Sequence, residues 1–280
     1  CRGAQRRARR GQGGGLTSRR HVTAAALTAL AAALAGCAGP RIHTRHAAVS
    51  QGPRVDMVVI HYTALDFDAS LRVLTQQAVS SHYLVDVDPP TIYRLVPEDR
   101  RANHAGISAW DRRQLLNMSS IGIEIVNPGR LQTPDGERYA PYPPRQIDAV
   151  VALVRDIVRR WGIPKERVVG HADIAPGRKQ DPGPMFPWKR LADEGLAVWF
   201  DEARAAALRP QYEQQLPALG WFRQRLAQFG YLVPLDGADD VLDGATRDVL
   251  VSFQMRFRPA KFDGEPDAGT AAILAALTQP

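Results

Sequence analysis

The stretch Gly170 to Gly183, GHADIAPGRKQDPG, sets His171, Asp173, Arg178, Lys179 and Asp181 among three glycines and two prolines. Imidazole nitrogen and carboxylate oxygen are ordinary zinc ligands, and a catalytic zinc site uses three of them, leaving one position for water. A second imidazole comes from His61, near the end of VDMVVIHYTA (55–64). His61, His171 and Asp181 therefore make a candidate His2Asp set for zinc, although such a set also accepts other divalent ions. The ten-residue step from His171 to Asp181 is too long for one helical face. A loop pinned by Pro176, Gly177, Pro182 and Gly183 can instead bring both ligands round one ion. The two cysteines, Cys1 and Cys37, both lie in the first 37 residues, which leaves no cysteine cluster for a metal. No G-x-S-x-G elbow appears either, which disfavours a serine hydrolase.

The elements that must carry these residues follow from periodicity. VDMVVIHYTA is a β-branched apolar run and reads as a buried strand. A helix is expected from a cap at Asp68 to about Val79, with Leu71, Leu74 and Ala78 on one face. HYLVDV and TIYRLV flank Asp88-Pro89-Pro90 and read as a hairpin. In SSIGIEIVN (119–127) strict alternation sends Ile121, Ile123 and Ile125 one way and Glu124 the other. RQIDAVVALVRDIVRRW is a strongly amphipathic helix ended by Gly162 and Pro164, and RVVGH (167–171) is a further strand ending in His171. Strands and helices in this order predict an α/β fold, a mixed central sheet flanked by helices, with ligands beyond the strand ends.

HYTA, SSHYLV, HAG, IGIEIVN and GHADIAPGRKQDPGPMFPW together resemble the zinc-dependent N-acetylmuramoyl-L-alanine amidases of the amidase 2 type, relatives of the peptidoglycan recognition proteins. The resemblance spans about 55–200 and implies that His61, His171 and Asp181 hold Zn2+, that Glu124 is the general base and that Lys179 stabilises the oxyanion. It implies a substrate contact at His104, in an HAG preceded here by Asn103 where the family often has an aromatic residue. Asp173 and Arg178 read as braces of the loop, and His82 as structural. The implied reaction is hydrolysis of the amide between N-acetylmuramic acid and L-alanine of peptidoglycan or its muropeptides. Two alternatives stand beside it: a non-catalytic recognition protein of the same fold, and a recycling amidase for anhydro-muropeptides.

Beyond Leu208-Arg209-Pro210, three helical patterns carry Leu219, Phe222, Leu226 and Phe229, then Val249, Leu250 and Phe253, then the run TAAILAAL. D-G turns with a threonine near a helix start resemble a small three-helix peptidoglycan-binding domain. At the other end, HVTAAALTALAAALAG is an apolar run of roughly 15 residues, short of the about 20 that a membrane span needs. It ends in Leu34-Ala35-Gly36-Cys37, which resembles a lipobox. The expected organisation is a leader over 1–37 with Cys37 lipidated, a tether over 38–53, an amidase domain over 54–208 and the helical domain over 209–280. The implied location is the bacterial cell envelope, lipid-anchored at the outer membrane and facing the periplasm. The formal charge of +7 does not indicate a nucleic-acid partner: seven arginines and no acid fall in residues 1–37, leaving 29 basic against 29 acidic residues.

Overall fold

The computed structural model describes residues 40–134 and 136–279, so the leader reading over 1–37, with Cys37, lies outside the described residues. Residues 40–51 carry neither helix nor strand. From Gly52 the chain forms one unit. It opens with β1 (Met57–Tyr62) and α1 (Phe67–Gln76), followed by β2 (Tyr83–Val85) and β3 (Ile92–Arg94). The short β4 (Ala109–Trp110) and β5 (Arg113–Gln114) precede β6 (Ser120–Ile125) and the hairpin of β7 (Arg130–Thr133) and β8 (Gly136–Tyr139). Then come α2 (Pro144–Trp161), β9 (Val168–Gly170), the single turn α3 (His171–Ile174) and α4 (Trp188–Asp193). The remainder is helical: α5 (Glu202–Gln214), α6 (Leu219–Phe229), α7 (Gly244–Phe257) and α8 (Ala268–Thr278).

The main sheet has the order β3-β2-β6-β1-β9. β6, β1 and β9 run parallel, β2 runs parallel to β6, and only β3 is antiparallel. A largely parallel sheet needs both faces covered. On one face Val58, Ile60, Ile121, Ile123, Ile125 and Val168 share a buried cluster with Ile147, Val150, Val154 and Ile157 of α2. On the other, Met57, Val59 and Val169 join Phe222, Leu226, Val249, Leu250, Phe253 and Phe257. The C-terminal helices thus share a core with the sheet instead of enclosing one of their own. The starts of α7 and α8 are set by aspartate caps: Asp243 accepts from Thr246 N–H and hydroxyl, and Asp267 does the same for Thr270.

Three local expectations differ from the structure. The cap of α1 is Asp66, whose Oδ1 accepts from Ala69 N–H at 2.8 Å, so the helix begins and ends earlier than a cap at Asp68 would place it. His171 starts a helical turn, since the strand before it ends at Gly170. Pro210 lies inside α5, which crosses the expected boundary at 208/209; burial of Ala205 and Tyr212 on either side offsets the one backbone bond that proline removes.

Glu98 fastens the end of α2 to β2. Its carboxylate accepts from Tyr83 Oη at 2.6 Å, Arg160 Nη2 at 2.8 Å and Trp161 Nε1 at 2.7 Å. Burial alone would raise its pKa, but the hydrogen bonds from Arg160, Tyr83 and Trp161 prevail and hold it at about 2 against an ordinary 4.5. The unfolded chain therefore binds the proton first, and the stabilisation is complete above pH 4.5 and fades as the pH falls towards 2. Glu98→Gln is expected to cost about 1–3 kcal/mol at pH 7. In urea unfolding at pH 7 and pH 3, the gap between parent and variant should shrink at the lower pH; an unchanged gap would refute the assignment.

Candidate metal centre

Parallel pairing puts His61 of β1 directly beside Glu124 of β6, so both side chains leave the sheet on the same face near its carboxyl edge. β9 runs beside β1 and delivers His171 at the same edge. The loop that follows returns through Asp181, whose carbonyl accepts from Ala172 N–H at 2.8 Å. His61 Nδ1, His171 Nδ1 and Asp181 Oδ2 then form a nearly equilateral triangle with sides of 2.9, 2.9 and 3.0 Å. All three residues are buried. A point about 2 Å from each atom, the usual zinc distance to nitrogen or oxygen, lies just off the plane of that triangle.

The far nitrogens of the two imidazoles are committed elsewhere, which fixes the tautomers. His171 Nε2 donates to Ala105 O at 3.1 Å, leaving a lone pair on Nδ1. His61 Nε2 lies 3.0 Å from His104 Nδ1, and His104 Nε2 lies 3.2 Å from Ser120 Oγ, which donates to Leu116 O at 2.5 Å. One set of tautomers satisfies this row: each Nε2–H donates onward, and His61 Nδ1 faces the triangle unprotonated. Burial, and then the neighbouring His171, lower His61 to a pKa of about 4. The Asp181 carboxyl resists burial through His171 and His61 and is held below the ordinary carboxylate range. With each Nδ1 turned inwards, the donor set is two imidazole nitrogens and one carboxylate oxygen, which suits a divalent cation.

His104, expected to touch substrate, packs under β6 and supports His61, while also lining the cleft that opens over the triangle. Its place depends on Gly122, where a Cβ would sit 2.5 Å from His104 Cγ. That is why glycine occupies IGIEIVN directly above the ring. His82 is structural as expected, accepting from Gly122 N–H and bonding Arg100 O. Arg178 braces the loop by donating to Ala105 O and Ile107 O.

Glu124 and Lys179 line the same cleft as His171 and Asp181. Burial, and then the Asp181 charge, push the Glu124 carboxyl well above the ordinary range, against the pull of Lys179. Its Oε2 is enclosed and has no hydrogen-bond partner among the described residues. Tyr62, Leu65, Ser70, Val73 and Asn103 also line the cleft.

A curated relative, the N-acetylmuramoyl-L-alanine amidase AmiD of Escherichia coli, is 44% identical over 272 residues, covering 90% of this chain and 96% of that protein. The chain belongs to the N-acetylmuramoyl-L-alanine amidase family. The family model of that description matches residues 51–184 of the amidase, and a "peptidoglycan binding domain" model matches residues 215–274. The anhydro-muramyl-L-alanine amidase AmpD of Enterobacter cloacae is 33% identical over 140 residues, covering 50% of this chain and 70% of that one. Among solved structures, E. coli AmiD in complex with the substrate anhydro-N-acetylmuramic acid-L-Ala-D-γ-Glu-L-Lys superposes with a TM-score of 0.75 at 43% identity, covering 85% of this chain and 94% of that chain. AmpDh3 of Pseudomonas aeruginosa, in complex with anhydromuramic pentapeptide, gives 0.77 at 39% identity, covering 85% and 97%.

Proposed function

We propose that this amidase hydrolyses the amide between the lactyl carbonyl of N-acetylmuramic acid and the L-alanine of the stem peptide, with anhydro-muropeptides among its substrates and zinc held by His61, His171 and Asp181. The observation that carries the reading is the convergence of three metal donors in one cleft with an enclosed carboxyl and an ammonium group. Both bound ligands named for the two structural relatives are anhydro-muramyl peptides, which favours that substrate form.

Zinc, when bound, lowers the pKa of a water to about 7 and polarises a carbonyl. Glu124, beside His61 in the sheet, takes the proton of the attacking water at its enclosed carboxyl. A pKa raised above the ordinary carboxylate range lets the same group hand that proton to the departing L-alanine nitrogen as the carbon–nitrogen bond breaks. Lys179 offsets the negative oxygen that forms on the attacked carbon. The sheet and its loops carry the chemistry, and the C-terminal helices, over which the peptidoglycan-binding model matches residues 215–274, hold the enzyme on its polymer and raise effective concentration.

The test is mass spectrometry of muropeptides incubated with the enzyme. Peptides beginning in L-alanine should appear, vanish with a chelator and return with zinc; binding without cleavage would turn the protein into a recognition module. The apolar run ending in Leu34-Ala35-Gly36-Cys37 supports a location in the cell envelope, lipid-anchored through Cys37 at the outer membrane and facing the periplasm. Labelling with a radioactive fatty acid should mark the parent and spare Cys37→Ser; equal labelling of both would remove Cys37 as the anchor.

A further inference from the structure

We propose that the C-terminal helices are part of the metal site itself: Arg256 and Tyr231 are positioning residues that hold Asp173 and, through it, the loop carrying His171 and Asp181. The inference rests on the metal reading above and goes beyond wall attachment as the task of this region.

Asp173 sits two residues after His171 and is buried. Its Oδ2 accepts from Gly170 N–H at 2.8 Å, and Ala172 N–H donates to Asp181 O at 2.8 Å. The residues on either side of His171 are therefore tied, one to Asp173 and the other to the backbone of the third ligand. The carboxylate is in turn held by groups from the C-terminal region. Arg256 Nη1 of α7 donates to Asp173 Oδ2 at 2.7 Å, with both side chains 3% exposed. Tyr231 Oη, just after α6, donates to Asp173 Oδ1 at 2.5 Å.

Arg256 is itself fixed. Its guanidinium lies 4.0 Å over the Trp188 ring, and Nη2 reaches towards Val168 O and Val198 O at 3.5 and 3.4 Å. The loop meets α7 once more at Gly177, whose φ is +72° and where a Cβ would collide with Asp248. A buried carboxylate deprived of its cation must find water. For Asp173 that means leaving Gly170, and with it the backbone on which His171 stands.

The experiment uses the full chain and titrates Zn2+ against a chromophoric chelator, then records the visible spectrum of the Co2+-loaded protein. Arg256→Met is expected to weaken the metal by about 10–100-fold and to alter the Co2+ bands, as loss of groups behind metal ligands does. Tyr231→Phe, which removes one hydroxyl and keeps the ring, should weaken it severalfold. On a soluble muropeptide too small to need wall attachment, kcat should fall while KM holds. Arg223→Met is the control: Arg223 is buried in the same helical region and bonds Gly237 O, Ala238 O and Asp243, remote from Asp173. It should lower the melting temperature and leave metal affinity unchanged. Parental affinity and spectrum in both Arg256→Met and Tyr231→Phe would overturn the proposal, and should Arg256→Met not fold, Tyr231→Phe alone decides. A parent chain that binds no metal would instead overturn the metal reading beneath it.

Discussion

Glu124→Gln is expected to lower kcat on a soluble muropeptide by about 10²–10⁴-fold, the usual worth of a positioned proton-transfer group, with bound metal retained and no loss of thermal stability. The two halves of that expectation have one cause. Burial and the Asp181 charge raise the Glu124 carboxyl well above 4.5, so in the folded protein the ionised form is disfavoured relative to the unfolded chain. Above the ordinary carboxylate range this subtracts from stability. Glutamine keeps the shape, cannot ionise and removes the penalty, so the melting temperature should hold or rise. Such an exchange of stability for activity is characteristic of a group kept for chemistry. Steady-state kinetics, metal analysis and thermal melts of the metal-free proteins check it together. A variant within tenfold of the parent would mean that another group handles the proton.

Asp181→Asn is expected to weaken zinc on the order of a thousandfold, about 4 kcal/mol, and to abolish turnover at trace metal. Asp181 Oδ2 is the corner shared by two sides of the donor triangle, and it is the only anionic corner. An amide there offers a neutral oxygen or an N–H aimed at the ion. Ligand binding also gives an independent thermal readout. Metal at a hundred times its Kd adds about 2.7 kcal/mol to the folded state. The parent melting temperature should therefore climb with added zinc, and that of the variant should stay flat over the same range. Equal responses would place the ion elsewhere.

Much of this site could be read from the chain because its parts are local. One loop holds two ligands and the lysine, and alternation in IGIEIVN sets Glu124 apart from the isoleucines that face α2. The pairing that puts Glu124 beside His61 was less accessible, since the parallel register of β1 and β6 is decided across 63 residues. Asp173 could be read as a brace, but its partners lie 58 and 83 residues away, and nothing in the local pattern of α7 marks Arg256 as buried. Glu98 was missed for the same reason, its arginine and tryptophan being 62 and 63 residues distant. His104 lines the cleft as its motif suggested, but its support of His61, and the glycine of β6 that makes room for its ring, were not legible in HAG.

The shared core has a consequence for the order in which the molecule is made. Met57 and Val59 lie on the first of the described strands, yet much of the cluster that buries their face, from Phe222 to Ala275, is synthesised long after them. A nascent chain lacking α7 and α8 has that face only partly covered and, on the proposal above, a ligand loop without its clamp. Chains fold from the N-terminus where they can, but here β1 completes its packing only with α7 and α8. On that proposal the metal site is complete only once α7 is in place, so hydrolysis would await the C-terminal helices that brace its ligand loop.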